Sequence, residues 1–164
     1  MRFVLPFLAA MALSGCGLHP LYSGGSGSPV AATLRSISVG PIQGQSGWLV
    51  RSKLIDRLGD PGGSAAYRLD VTLDDNITAF GLRNDRAATR ERRTLRARYQ
   101  LVDARNGMVL LDATAGSDAG IDIVSSEYAT VAAEQTALES LSDIVADQIT
   151  ARVALYASRT AKAK

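Results

Sequence analysis

Across 164 residues the chain has one cysteine, one histidine and one tryptophan, and only 5% of it is aromatic. A single cysteine excludes a disulfide framework, and a single histidine leaves little for a zinc site. That histidine, His19, lies three residues from Cys16, so the body that follows has no imidazole and no Ser–His pair for nucleophilic catalysis. The scattered glycines show no phosphate-loop spacing. The carboxylate pair Asp74-Asp75 lies on or beside a strand with arginines nearby, which suits ion pairing better than acid–base chemistry. Net charge is only +2, too small by itself to imply a polyanionic partner. At 46% hydrophobic and 21% charged the composition is globular, and the length suits one ordinary domain with an appendage.

Much of that hydrophobicity is at the start. Met1-Arg2 is followed by an apolar run from Phe3 to Leu13, broken only by Pro6. The run is too short to span a bilayer of about 30 Å as a lasting helix. It has the form of the h-region of an export signal, removed on maturation. Leu13-Ser14-Gly15-Cys16 resembles the lipobox of bacterial lipoproteins. Small residues admit the peptidase, and the Cys16 thiol is the nucleophile that accepts diacylglycerol. Three acyl chains on one residue would anchor the protein firmly, and lipid would account for the unpaired cysteine. Gly17 stands where an Asp often marks inner-membrane retention, so outer-membrane delivery is expected.

The expected organisation is a signal over residues 1–15, a lipidated N-terminus and flexible Gly/Ser-rich tether over 16–32, one α/β domain over 33–158, and a basic frayed tail over 159–164. Leu34 to Ile42 reads as a strand. Ser46 is a candidate cap for a helix from about Gly47 to Leu58, with Val50, Leu54 and Leu58 on its buried stripe. Gly59 and Pro61-Gly62-Gly63 then stop it. Tyr67, Leu69, Val71 and Leu73 alternate with polar residues, and so do Leu95, Ala97, Tyr99 and Leu101. A turn centred near Asp85 pairs these strands with Val71 opposite Tyr99 and Leu73 opposite Ala97, which puts both apolar rows on one face. Asn106-Gly107 signals a second hairpin, with a strand from Met108 to Ala115. A long helix follows from near Glu127, buried along Leu138, Leu141, Val145, Ile149 and Val153. The fold class is an α/β two-layer sandwich: a four-stranded mixed sheet with two helices on one face, in the order β-α-β-β-β-α.

One constellation stands out. Between Arg83 and Arg98 there are seven arginines (Arg83, Arg86, Arg90, Arg92, Arg93, Arg96, Arg98) against two acids, Asp85 and Glu91. Arginine suits bidentate contact with phosphate or carboxylate. In the bland account, Arg96 faces Asp74 across the hairpin and the others cover a solvated face, each pair contributing roughly 0.2–1 kcal/mol. That leaves an excess at the hairpin tip, where Arg86, Arg90, Arg92 and Arg93 have too few acids. Nucleic acid is not the expected partner, because no aromatics are interleaved for base stacking and the chain is exported. The abundant anion outside the inner membrane is lipopolysaccharide.

Cys16-Gly17-Leu18-His19-Pro20-Leu21-Tyr22 after the lipobox, the strand–helix–three-strand–helix order, and a last helix opening around Tyr128-Ala129 resemble the LPS-assembly lipoprotein family, LptE, in its alphaproteobacterial form. The resemblance implies a non-enzymatic outer-membrane lipoprotein with no cofactor and no metal. It would plug a large outer-membrane LPS-assembly β-barrel of the LptD type, assist that barrel's assembly and bind lipopolysaccharide. By position in the hairpin, Arg86, Arg90, Arg92 and Arg93 would make the lipopolysaccharide contact. An auxiliary lipoprotein of an ABC-type lipid transporter is the alternative, and a periplasmic hydrolase the third; the hydrolase lacks a nucleophile–base pair.

Overall fold

Alternating side chains build the two longest strands, and their pairing sets the geometry of everything else. The computed structural model describes residues 28–82 and 88–162; Cys16, its lipobox and Arg86 lie outside them. The elements are α1 (Pro29–Arg35), β1 (Ile37–Val39), α2 (Gly44–Leu58), β2 (Tyr67–Leu82), β3 (Ala88–Asp103), β4 (Val109–Asp122) and α3 (Glu127–Lys162). They form one mixed sheet in the order β1-β2-β3-β4. β1 runs parallel to β2, with α2 as the crossover, and the other two pairings are antiparallel. In the hairpin Val71 is opposite Tyr99 and Leu73 opposite Ala97, the register that the alternation implies.

The core lies between one sheet face and the helices. Ile37, Val39, Leu69, Leu95, Ala97, Tyr99 and Leu101 meet Val50, Leu54 and Leu58 of α2, and Leu141, Val145, Ile149 and Val153 of α3. Tyr99 is 2% exposed, and burial raises the pKa of its phenol. α2 and α3 are also joined at the surface. Arg57 donates to Asp147 and Asp143, and Lys53 pairs with Asp143.

Several local expectations are corrected. Among the described residues there are three helices, because Pro29–Arg35 is helical where a tether to residue 32 and a strand from Leu34 were expected. Ser28 caps it by accepting the Ala31 N–H, Pro29 occupies the first turn, and Leu34 is buried. β1 is accordingly only three residues long. The second helix begins at Gly44, before Ser46, with Gln43 at the cap position and no side-chain cap bond. Its entry depends on close approach: a Cβ on Gly47 would lie 2.7 Å from the Ile42 carbonyl oxygen. Finally, β4 continues seven residues past Ala115 to Asp122, and α3 stays helical to Lys162, within the stretch assigned to a frayed tail.

Candidate functional site

Strand parity sorts the arginines onto two faces with different surroundings. Arg93 shares its parity with Leu95, Ala97 and Tyr99, and so lies on the helix side of the sheet. Its Nε and Nη2 donate to the two carboxylate oxygens of Asp75 at 2.9 and 2.7 Å, and Nη1 donates to the Glu134 carbonyl of α3 at 3.1 Å. The Arg93 and Asp75 side chains are only 13% and 18% exposed. The Asp75 hydrogen bonds raise the Arg93 pKa, against partial burial. This arginine clamps the hairpin to the helix.

The outward face carries Arg90, Arg92, Arg96 and Arg98. Arg90 Nε donates to Asp122 at 2.7 Å, and both side chains are exposed. Arg98 reaches Asp112 at 2.9 Å, and Gln100 donates to the same carboxylate at 2.8 Å. Arg98 and then Gln100 hold the Asp112 carboxyl below its usual range. Arg96 stands opposite Asp74 in the register as expected, but its guanidinium is 4.0 Å from Asp118 on the other neighbouring strand. Asp74 instead accepts from Asn76 at 2.6 Å. Arg96 lies over Gly116, where a Cβ would fall 2.5 Å from its Cδ.

Arg92 differs from the other three. Its guanidinium carbon is 5.4 Å from the centre of the Phe80 ring, a cation–π contact, and among the described residues no carboxylate pairs with it. Its register neighbours are Thr78 on one side and Gly120 on the other, so neither strand brings a charge beside it.

The structure therefore divides the four expected site residues. Arg90 and Arg92 lie close together on the exposed face, Arg93 is turned to the helix side, and Arg86 lies outside the described residues. The expected shortage of acids does not hold for Arg90 or Arg93, whose partners are Asp122 and Asp75. Sequence reading ended β4 at Ala115 and so missed Asp118 and Asp122 as partners. It also missed Phe80, although Phe80 shares the outward parity of Thr78.

The family model for lipopolysaccharide assembly, LptE, matches residues 34–153. The chain belongs to the LptE family. Its role is therefore in lipopolysaccharide assembly. The LptE chain is similar to a crystal structure of a putative lipoprotein from Caulobacter crescentus, at 28% identity and TM-score 0.69, covering 81% of this chain and 98% of that one. A minor lipoprotein from Acinetobacter baumannii is 17% identical with TM-score 0.54, over 73% of this chain and 90% of that one. Rare lipoprotein B from Shewanella oneidensis is 9% identical with TM-score 0.51, over 76% and 94%. These last two show a shared fold. No curated protein matches the chain.

Proposed function

We propose that this LptE member is an outer-membrane lipoprotein, anchored through Cys16, whose body plugs the lipopolysaccharide-translocating barrel, assists its assembly and binds lipopolysaccharide at the β2–β3 hairpin. The observation that carries the binding site is Arg92: a guanidinium stacked on Phe80, exposed, without a carboxylate among the described residues, and two residues from Arg90 on the same face. A planar guanidinium can hold phosphate with two parallel hydrogen bonds, and a phosphate competes with few internal acids at Arg92. Arg86, between the two strands in sequence, lies outside the described residues. The polar outward face supports the plug reading, since the lumen of a large barrel is hydrophilic.

Arg93 does not belong in a test of binding, because its loss would disturb the fold. Replacing Arg90 and Arg92 together by Ser should weaken lipopolysaccharide binding while the circular dichroism spectrum stays the same. Exposed pairs contribute roughly 0.2–1 kcal/mol, so the melting temperature should fall by a few degrees at most. Unchanged binding overturns the site. The plug reading is tested by isolating the full-length lipoprotein from membranes. A large outer-membrane β-barrel should accompany it in near-equal amount, whereas a transporter ATPase or its substrate-binding subunit in that place would favour the ABC-transporter alternative.

A further inference from the structure

β4 is the last strand of the sheet, and its outer edge is only partly closed. The clue is Gln148 on α3. Its side-chain amide accepts the Gly116 N–H through Oε1 at 2.9 Å and donates through Nε2 to the Gly116 carbonyl at 3.4 Å. A side chain thus imitates the backbone of a neighbouring strand at this one residue. It also shows which residues turn their backbone outward. N–H and C=O of one residue in an antiparallel strand point the same way and alternate along the chain. The register with β3 is regular from Leu111 to Asp122, so Asp118, Gly120 and Asp122 have the same outward orientation as Gly116. Among the described residues no hydrogen bond reaches the outward backbone of Asp118 or Gly120.

Three further features describe what the edge can accept. Ile144, one helical turn before Gln148 and on the same flank of α3, is 41% exposed. Gly120 has an ordinary extended conformation and open space where a Cβ would be. Asp118 is half exposed and has Arg96 only at 4.0 Å, so its charge is barely engaged. A second copy of this chain is a poor occupant. Two-fold antiparallel pairing centred on Gly120 would set Asp118 against Asp122, and like charges directly opposite are destabilising.

We propose that β4 from Asp118 to Asp122 is a docking edge for an extended strand of a partner protein. That strand carries a Lys or Arg beside Asp118 on the outward face and an apolar residue over Ile144 on the helix side. Main-chain hydrogen bonds supply the attachment and the two side chains set the register. The inference rests on the plug reading, because it assigns the strand to the barrel.

The test uses the full-length lipoprotein co-expressed with the barrel. Gly120→Pro deletes the outward N–H and leaves the ladder to β3 intact, as an edge position allows. It should lower the barrel recovered by about tenfold, the equivalent of losing one or two hydrogen bonds in a closed interface. Gly120→Ala should have no effect. Asp118→Lys, which leaves the backbone alone, should lower recovery even if the proline variant folds poorly. In the complex, amide exchange should slow at Asp118, Gly120 and Asp122 but not at Ala119 and Ile121, which face β3. Unchanged recovery with both Gly120→Pro and Asp118→Lys overturns the docking edge and leaves the plug reading standing. A wild-type chain that recovers no barrel overturns both. A wild-type dimer that Gly120→Pro converts to monomer overturns the heterologous occupant in favour of a second copy.

Discussion

The base and the tip of the β2–β3 hairpin use the same alternating pattern for different ends. At the base, Leu69, Tyr99 and Leu101 lie under α2 and α3, and the sheet is held by burial. Toward the tip the inward positions become Asp75, Ile77, Glu91 and Arg93, and Ile77 is exposed. The helix thins out in step, with Tyr128 in the first turn of α3 85% exposed. A partly buried ion pair, Arg93–Asp75, marks the border between the two regimes. Inward-facing positions therefore turn from apolar to a mixture of charged and apolar residues toward the tip, while the outward face stays mostly polar, with Phe80 an apolar exception.

The comparison is broken most severely at the base. Ile149→Ala opens a cavity beneath the sheet and should cost about 2–5 kcal/mol, read as a lowered urea midpoint. The same truncation at Ile77, near the tip, should cost well under half of that; equal losses would mean the tip is packed as tightly as the base. Arg93→Ala comes next. It strands Asp75 with little solvent and frees the Glu134 carbonyl, so about 1–3 kcal/mol should be lost, with Arg93→Ala/Asp75→Ala recovering part of it. A neutral Arg93→Ala would return this arginine to the set available for ligand.

Acid produces the smallest and most general effect. Asp103 has a lowered pKa through hydrogen bonds from Arg105; Asp112 is lowered by Arg98 and Gln100; in Asp143, partial burial is outweighed by Arg57 and Lys53. Carboxyls with depressed native pKa values bind fewer protons folded than unfolded. Their stabilisation is present above the unfolded value of about 3.9 and fades as pH falls through the lower native values. The melting temperature should be flat near neutrality and decline below about pH 4. Asp143→Asn should lower the neutral plateau and reduce that decline.

Legibility in the sequence followed the range of the physics. Alternation over Tyr67–Leu73 and Leu95–Leu101 gave the hairpin register, because one apolar face admits only one pairing. The same parity already placed Arg93 beside Leu95 and away from Arg92, a signal obscured by treating the arginines as one cluster. Helix α1 was missed because Gly/Ser composition overshadowed the cap-and-proline start at Ser28-Pro29. The end of β4 was missed because apolar alternation fades after Ala115 and glycines stand at 116 and 120; Gly116 makes room for Arg96 and Gly120 has free space. The Gln148–Gly116 contact joins residues 32 apart, and no local pattern announces it.

The long hairpin also fixes a distance. The 16 residues of β2, at about 3.3 Å each, make a rod of roughly 50 Å, and the 36-residue α3 runs alongside it to a similar length. Helix α1, the first described element, packs against α3 around Tyr156, at the opposite end from Arg92. With the proposed anchor at Cys16, the protein would work as a stiff ruler, and its own strand length would add to how far Arg90 and Arg92 stand from the membrane.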